Sequence, residues 1–287
     1  MIITTSASSA NLGPGFDSIG MAVSLYLKVE VVEPSKTWQV DHDLPGIAHD
    51  ASNLIVQSAL KTSPHLEPMH LKVTSNIPLA RGLGSSSSAI VAGIELANQM
   101  QHLQLTDEQK VELGSQIEGH PDNIAPTILG GLVVGSFVNG HFDTVQLPFL
   151  PYSLVAYIPH YQLSTKKSRS VLPENLSRQQ AVQASAIANT FVASLAMGNY
   201  QQAGELMQAD LFHEPYRQKL VPELGKIRQL GQESGALATY LSGAGSTVMT
   251  VIRQDLAADF IKKLPAHGLN DRIELLHPLK QGVQVSY

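Results

Sequence analysis

The chain has 287 residues, of which 43% are hydrophobic, and it carries a formal net charge of -5 and no cysteine. This length suits one large or two modest globular domains. The acidic balance, with no basic patch among aromatic residues, argues against a nucleic-acid partner. The lack of cysteine excludes disulfides, thiolate metal sites and cysteine nucleophiles. Because the first residues do not resemble a signal peptide and no apolar run is long enough to cross a membrane, we expect a cytoplasmic protein.

The first segment of interest covers residues 9–17, with the sequence Ser-Ala-Asn-Leu-Gly-Pro-Gly-Phe-Asp. Its glycines and proline predict a loop. Asn11 and Asp17 place an amide and a carboxylate on this loop, and together they could bind an amine. Turn chemistry alone is the alternative interpretation, because Asn and Asp favour turns in any case. A strand is predicted next, at residues 26–32.

The most informative segment covers residues 78–89, Pro-Leu-Ala-Arg-Gly-Leu-Gly-Ser-Ser-Ser-Ser-Ala. A predicted strand at 69–77 precedes it and a helical apolar pattern follows from Ile90 onward. Glycines allow the backbone to approach a ligand closely, and the first N–H groups of a helix favour an anion, so the segment predicts a phosphate site. It matches neither the P-loop nor the dinucleotide fingerprint, whose third glycine is replaced by Ser87. A strand-to-helix turn without a ligand is the alternative.

Thr106 and Gln109 form a predicted capping box, so a helix that carries Glu112 is expected to run from there toward Gly119. Residues 118–126, Glu-Gly-His-Pro-Asp-Asn-Ile-Ala-Pro, follow it. Ionisable groups beside glycine and proline predict a functional loop, because connections often present such groups. Its candidate side chains are His120, Asp122 and Asn123. A solvated loop without a function is the alternative.

Two prolines at residues 148–151 predict a linker, and hence domains at 1–150 and 151–287. The second half is predicted to hold a helical region from about 178 to 234 with breaks near Gly198 and Pro215, and a helix from Asp255. The remaining predicted strands are 131–137, 153–158, 237–241, 247–252 and 272–276. This order indicates an α/β chain of the α+β two-domain type.

Two further motifs lie in the second half. Residues 165–173 gather three positive charges that could hold a carboxylate or a transferring phosphate. Arg169 is the better candidate, because its planar guanidinium can donate two parallel hydrogen bonds, and Arg217 could join it across the fold. A solvated charged face is the alternative. Residues 241–247, Leu-Ser-Gly-Ala-Gly-Ser-Thr, could bring the backbone near Gly243 against a ligand, although a tight turn between strands would have the same sequence. Local signatures of serine and zinc hydrolases do not occur.

These motifs together resemble the GHMP small-molecule kinases. Residues 78–89 match the phosphate-binding pattern Pro-x-x-x-Gly-Leu-Gly-Ser-Ser, and residues 7–20 are similar to homoserine kinases within that superfamily. The other matching segments, in the same order, are 118–126, Thr165 with Arg169, Arg217, and 241–246. The resemblance implies a ribosomal-protein-S5-like N-terminal domain and a ferredoxin-like C-terminal domain, with the site between them.

The resemblance also implies a reaction: ATP-dependent phosphorylation of the side-chain hydroxyl of L-homoserine, on the route to threonine, with ATP and Mg²⁺ as cofactors. The implied nucleotide-binding residues are Pro78, Leu79, Ala80, Arg81, Gly82, Leu83, Gly84, Ser85, Ser86, Ser87 and Ser88. The metal is assigned to one of the serines 85–87, represented by Ser86, and to Glu112, with Glu118 as the alternative carboxylate. The implied substrate-binding residues are Asn11, Asp17, His120, Asp122, Thr165, Arg169, Arg217 and Gly243. The implied catalytic residues are Asn123 and Arg169.

Homoserine is a zwitterion, so we expect Asp17 to face its ammonium group and Arg169 with Arg217 to face its carboxylate. Asn123 is expected to orient the hydroxyl, and no strong base is required, because positioning supplies most of phosphoryl-transfer catalysis. Two alternatives are a kinase of the same superfamily for another small alcohol and a nucleotide-binding sensor without turnover. The expected partner is the small-molecule substrate, with a homodimer as one option for assembly and with neither nucleic acid nor membrane.

Overall fold

Two β-sheets and the helices packed on them make up the molecule. The computed structural model describes residues 1–148 and 150–287. The strands are β1 (Ile2–Ala10), β2 (Ile19–Pro34), β3 (Gln39–Asp41), β4 (Met69–Ser75), β5 (Leu132–Val138), β6 (His141–Leu147), β7 (Ser153–Ile158), β8 (Ala238–Leu241), β9 (Val248–Ile252), β10 (Arg272–Leu276) and β11 (Gln284–Ser286). The helices are α1 (Leu54–Thr62), α2 (Ser85–Met100), α3 (Asp107–Glu118), α4 (Ile124–Leu129), α5 (Thr165–Arg169), α6 (Arg178–Ala196), α7 (Tyr200–Met207), α8 (Glu214–Arg217), α9 (Glu223–Glu233) and α10 (Gln254–Ala266), with a 3₁₀ turn at Gln218–Leu220.

The first sheet has the order β11-β1-β2-β4-β3, and β5 and β6 branch from the start of β2. Strand β2 alternates between buried residues such as Leu27 and Val29 and exposed ones such as Lys28 and Glu30, so one face of the sheet is covered. Helix α2 lies against β1, where the Ser88 hydroxyl donates to the carbonyl of Ser6 at 2.6 Å. The end of β1 and the start of α2 are therefore fixed next to each other.

The second sheet has the order β10-β7-β9-β8 and is antiparallel throughout. Its chain order of strand, helices, two strands, helix and strand is that of the ferredoxin-like motif. Helices α9 and α10 cover it through buried side chains that include Ile227, Phe260 and Leu264. On the other side, Tyr240 and Met249 join the same hydrophobic cluster as Leu27 of the first sheet. This shared core holds the two sheets against each other.

The end of the chain returns to the first sheet. Strand β11 pairs with β1, and Pro278 forms a bridge with Val23. The predicted linker lies between β6 of the first sheet and β7 of the second, apart from residue 149, which is outside the described residues. A domain division at 150 stays a prediction, and the structure adds that the tail packs with the N-terminal half.

The sequence patterns predicted most of the helices and strands, but not all of their first and last residues. The capping box is confirmed, since the Gln109 N–H donates to the Thr106 hydroxyl and the Gln109 side chain accepts from the Thr106 N–H. Strands β7 and β10 have the predicted bounds, whereas β2 begins well before residue 26, and β1, β6 and α1 had not been predicted. The helical region contains four helices, and Pro215 lies in the first turn of α8, where proline needs no N–H partner.

Within residues 1–148 and 150–287, none of the helices is both long and apolar enough to cross a membrane.

Candidate active site

A cavity of about 320 Å³ lies where the two sheets meet. It is bounded by the loop before α2, the loop after α3, helix α5 and the turn between β8 and β9. Predicted site residues that line it are Asn11, Asp17, Ala80, Arg81, Gly82, Gly84, Ser85, Ser86, Ser87, His120, Asp122, Asn123, Thr165, Arg169, Arg217 and Gly243. The fold therefore brings segments from both ends of the chain to one place.

The start of α2 forms one wall of the cavity. Gly84 is its N-cap residue, with a left-handed φ of 66°, and no side chain caps the helix there. The N–H groups of the first turn of a helix lack helical partners and, with the helix dipole, favour an anion. A Cβ on Gly84 would lie 2.1 Å from the Ser8 hydroxyl, and one on Gly82 would lie 2.2 Å from the carbonyl oxygen of Ser242. These glycines are thus required by close contacts within the protein.

Four residues of the predicted phosphate loop do not line this cavity, which corrects the prediction for their side chains. Leu83 is buried in the hydrophobic core, and the Ser88 hydroxyl is bound to the carbonyl of Ser6. Pro78 and Leu79 line a separate groove of about 390 Å³ that shares Arg81 with the cavity. Pro78 and Leu79 lie at the start of the loop and Ser88 lies inside α2, so these side chains face away from the tip of the loop, which borders the cavity.

The side chain of Arg81 ties the loop to the second half of the chain. Its guanidinium donates to the carbonyls of Leu79 at 3.1 Å, Pro159 at 2.9 Å and His160 at 2.5 Å. The turn between β8 and β9 adds a further contact, since the Ser242 hydroxyl donates to the carbonyl of Gly82 at 2.7 Å. The predicted phosphate loop is therefore held by residues that follow strands of the second sheet.

Glu118, rather than Glu112, is the carboxylate beside the serine loop. The Ser86 hydroxyl donates to Oε2 of Glu118 at 3.1 Å, and both residues line the cavity. The prediction that Glu112 supplies the metal-binding carboxylate is wrong, because Glu112 lies outside the cavity. Its carboxylate oxygens accept from the side chain of Gln116 and from the N–H of Phe142. The cause is the position of the helix end. Glu118 is the last residue of α3, whereas Glu112 lies about 9 Å further back along the axis and on another face.

His120, Asp122 and Asn123 form a connected group. Nδ1 of His120 lies 2.5 Å from Oδ1 of Asp122, and the Asn123 amide donates to the same oxygen at 3.1 Å. The hydroxyl of Ser8 donates to Oδ1 of Asn123 at 2.8 Å, which fixes the orientation of the amide. Burial alone would lower the pKa of His120, but the hydrogen bond and the negative charge of Asp122, with those of Asp17 and Glu118, outweigh it and raise that pKa.

Asp17 and Arg169 bind each other in this structure. Their two hydrogen bonds measure 2.7 and 2.9 Å, and both side chains are about one-third exposed, at 33% and 38%. The hydrogen bond with Asp17 raises the pKa of Arg169. The sequence had predicted that Asp17 faces the ammonium group of a substrate and that Arg169 faces its carboxylate. In this structure the carboxylate and the guanidinium are paired with each other, and their contacts with a substrate stay a prediction.

Asn11 is buried, and both ends of its amide are engaged. Its Oδ1 accepts from the N–H of Asp17 at 3.1 Å, and its Nδ2 donates to the carbonyl of Gly243 at 3.1 Å. Asn11 and Asp17 both have positive φ, of 72° and 56°. Such strained conformations persist where the surroundings fix them. Asn11 therefore links the backbone of Asp17 to the turn after β8.

Arg217 is only 2% exposed and yet lines the cavity. Its Nη1 donates to the carbonyl of Gly243 at 3.1 Å and lies 3.2 Å from Nδ1 of His213, and its Nε donates to the carbonyl of Ser168 at 3.3 Å. Burial, together with the positive charge of Arg169, lowers the pKa of Arg217 to about 10. The group is still protonated at neutral pH, so the cavity has a buried cation.

The remaining predicted residue, Thr165, is exposed in the first turn of α5, which is capped by the hydroxyl of Ser164. Sequence reasoning missed Ser8, Phe16 and His213. Phe16 stacks on His213 and lies beneath the guanidinium groups of Arg169 and Arg217. Phe16 was part of the predicted loop, but nothing in a single sequence distinguishes such an aromatic residue from one that only fills space.

Comparison with known proteins identifies the family. Residues 53–131 match the family model of the GHMP kinases N terminal domain, and residues 188–270 match that of the GHMP kinases C terminal. A homoserine kinase of Lactobacillus acidophilus is 61% identical over 285 residues, which cover 99% of each chain. One from Limosilactobacillus fermentum is 57% identical and covers all of both chains. The chain belongs to the homoserine kinase family of the GHMP kinases.

Solved structures of the homoserine kinase family have the same fold. The homoserine kinase from Cytophaga hutchinsonii is 26% identical, with a TM-score of 0.86 over 100% of this chain and 97% of that one. A mevalonate kinase from Methanococcus jannaschii, at 18% identity and a TM-score of 0.74 over 97% of this chain and 98% of that one, shares the fold alone. The predicted two-domain α/β fold is confirmed, and membership of a kinase family implies the use of ATP and of a small-molecule acceptor.

Proposed function

We propose that this chain transfers the γ-phosphoryl group of ATP to the side-chain hydroxyl of L-homoserine, giving O-phospho-L-homoserine for the synthesis of threonine. The observation that carries the proposal is the chemistry at the two ends of one cavity. A helix N-terminus suited to phosphate lies at one end, and a carboxylate with two guanidinium groups lies at the other. A zwitterionic amino acid with a terminal hydroxyl fits such a cavity, because its charged end and its reacting end need different partners.

The phosphates of the nucleotide would bind at the start of α2. The N–H groups of Ser85, Ser86 and Ser87 belong to the first turn, and these residues line the cavity. The adjoining groove that Pro78 and Leu79 line meets the cavity at Arg81. We therefore place the nucleoside in that groove, which retains a role for both residues in binding ATP although they do not reach the phosphate end.

The donor set fits Mg²⁺. Ser86 and Glu118 present a hydroxyl and a carboxylate oxygen on the cavity wall, and oxygen ligands are those that Mg²⁺ prefers. The buried hydroxyl of Ser87 has no hydrogen-bond partner within the described residues, which is a further indication that this wall is built for a ligand. When bound there, Mg²⁺ would neutralise charge on the phosphate oxygens.

The charged end of homoserine would replace the ion pair that closes this end of the cavity. Asp17 would accept from the ammonium group, and Arg169 would donate to the carboxylate, so that each keeps an oppositely charged partner. Carboxylate–guanidinium contacts of this kind are bidentate and specific. Asp17, His120 and Asp122 have ligand atoms within 4.8 Å of one another, so the environment of the ammonium group is acidic. Arg217 would add a second cation for the carboxylate, and Thr165 lies at the same rim.

Asn123 would orient the reacting hydroxyl. Its Oδ1 accepts one hydrogen bond, from Ser8, and a carbonyl oxygen can accept a second, from the substrate. Asp122, the neighbouring carboxylate, is engaged by both His120 and Asn123. Transfer would therefore depend on alignment and charge rather than on a strong base, as is usual for phosphoryl transfer. A cytoplasmic location and a homodimer stay predictions of the sequence.

The test is to incubate the purified protein with Mg-ATP and, separately, homoserine, mevalonate, galactose and shikimate, while ADP release is followed. We expect ADP release with homoserine only, and a phosphorus NMR signal of a phosphate monoester on its side-chain oxygen. Faster turnover of another alcohol would favour a different GHMP kinase. Binding of ATP without turnover of any acceptor would favour a nucleotide-binding sensor.

A further inference from the structure

The side chain of His213 connects the two parts of the amino-acid end of the cavity. It is fully buried at the start of α8 and does not line the cavity. One ring nitrogen, Nε2, lies 3.0 Å from the carbonyl oxygen of Gly13, and the other, Nδ1, lies 3.2 Å from Nη1 of Arg217. Gly13 is in the loop that carries Asp17. A single imidazole therefore joins the loop of the carboxylate to the buried guanidinium.

These contacts fix the protonation state of the ring. A guanidinium has no acceptor, so Nδ1 must accept from Arg217, and a carbonyl has no donor, so Nε2 must carry the proton that binds Gly13. The ring is then neutral, with the proton on Nε2. Burial and the positive charge of Arg217 favour the neutral form and lower the pKa of His213, although the charges of Asp210 and Glu214 oppose them.

The surroundings hold the ring in place. Asp210 accepts from the N–H groups of Phe212, His213 and Glu214 at 2.7 to 2.9 Å, which fixes the start of α8. The ring of Phe16 stacks on His213, with 5.4 Å between the ring centroids. The guanidinium of Arg217 lies over the same Phe16 ring, 5.1 Å from its centroid. His213 thus has a defined position and a defined tautomer.

From this geometry we propose that His213 is a positioning residue for substrate binding: it orients Arg217 toward the carboxylate of the amino acid and keeps the Asp17 loop in register with it. The inference rests on the proposed function. Nε and Nη1 of Arg217 are bound to Ser168, Gly243 and His213, and no hydrogen bond within the described residues engages its Nη2. Nη2 is therefore the donor that remains for a ligand, and its direction depends on what holds Nη1.

Two amide variants separate the two contacts. The amide of His213→Asn ends near the position of Nδ1, so it can still accept from Arg217 but cannot reach Gly13. The amide of His213→Gln ends near the position of Nε2, so it can still donate to Gly13 but leaves Arg217 without its acceptor. We expect His213→Gln to raise the KM for homoserine by about tenfold or more, with the KM for ATP little changed, because a hydrogen bond to a charged group is lost. We expect His213→Asn to raise it less.

Thermal unfolding of both variants shows whether a change in KM follows from a loss of structure. A purely structural role predicts that KM and melting temperature change in parallel, with no difference between the amides, and that result would overturn the proposal. If wild-type protein does not turn over homoserine at all, the proposed function fails first, and the variants are compared with the acceptor that it does use.

The tautomer can be tested without any activity. Wild-type protein labelled with ¹⁵N in its histidines should show, for the signal that disappears in either variant, a neutral ring protonated on Nε2 between about pH 6 and 8. A doubly protonated ring, or a proton on Nδ1, would contradict the assigned contacts and overturn the proposal even if the variants fold poorly.

Discussion

The two ends of the cavity are built in different ways. The phosphate end consists of backbone from one continuous segment, with Gly84 in a left-handed conformation and the first turn of α2 after it. The amino-acid end consists of long side chains from distant segments: Asp17 and Arg169 are 152 residues apart, and Asn11 and Gly243 are 232 residues apart. A site made of local backbone can be inferred from a short motif, whereas one made of distant side chains depends on the whole fold.

The same difference predicts how substitutions act. A change at the phosphate end distorts the backbone or removes an oxygen proposed to bind Mg²⁺, and it should slow transfer itself. A change at the amino-acid end removes a contact that is equally strong before and during transfer, so it should weaken substrate binding with little effect on kcat.

Gly84→Ala should lower kcat by at least about a hundredfold, because displacement of a reacting group by about 1 Å can cost that much. The added Cβ would lie 2.1 Å from the Ser8 hydroxyl, at a φ of +66°. Gly198→Ala is the matched control, with a φ of +69° and no atom within 4 Å of the added Cβ. Steady-state kinetics and melting temperatures of both variants make the comparison. Equal losses in the two would mean that backbone strain alone, and not the packing of the phosphate loop, is responsible.

Glu118→Gln should lower kcat by roughly a hundredfold and raise the Mg²⁺ concentration needed for half-maximal rate, since even indirect changes at a metal site cost about 10- to 100-fold. Glu112→Gln should leave both quantities nearly unchanged, because Glu112 binds Gln116 and Phe142 outside the cavity. Titration of Mg²⁺ at saturating ATP and homoserine measures both effects. A larger effect for Glu112 than for Glu118 would restore the assignment made from the sequence.

Arg169→Leu and Asp17→Asn should each raise the KM for homoserine about 10- to 100-fold, which corresponds to the loss of one hydrogen bond between charged groups. The KM for ATP and kcat should change little. Steady-state kinetics with each substrate varied in turn measures these constants. A fall in kcat at unchanged KM would place Arg169 at the transferring phosphate instead, and the contrast between the two ends would fail.

His120→Gln should change the pH dependence of stability, and this is the smallest effect. The pKa of His120 in the folded protein is raised above its ordinary value of 6.5. Its contribution to the free energy of unfolding is therefore fully present below pH 6.5 and is lost as the pH rises through the folded value. The variant should lose more stability relative to wild type at pH 5.5 than at pH 8.5. Denaturant unfolding at the two pH values tests this, and a difference in the opposite direction would refute it.

The sequence was informative where neighbouring residues decide the structure. The cap at Thr106, the end of α3 near Gly119 and the start of a helix at the serine run all follow from local backbone chemistry and were predicted. The choice between Glu112 and Glu118 was not, because it depends on where the helix ends relative to the cavity. The number of residues between two motif positions does not give the distance from a side chain to the cavity.

The amino-acid end of the cavity shows the limit of sequence-based prediction more clearly. The residue types for a zwitterion were predicted, but the pairing of Asp17 with Arg169 and the burial of Arg217 depend on contacts between the two sheets. His213 was not predicted, because nothing in the sequence distinguishes a buried histidine at a helix start from any other histidine. Strand β6 was missed for a related reason: its mostly exposed residues lack the apolar alternation from which strands are recognised.

In the proposed function, one cavity binds the two charges of an amino acid while its hydroxyl faces the phosphate end. The most direct test is the kcat/KM of the wild-type protein for homoserine, for 4-hydroxybutyrate, which lacks the ammonium group, and for 3-aminopropanol, which lacks the carboxylate. We predict that each analogue loses at least about tenfold, because one charged side chain of the cavity is left without its substrate partner in each case. If either analogue is phosphorylated as efficiently as homoserine, the corresponding charged contact does not exist, and the account is contradicted.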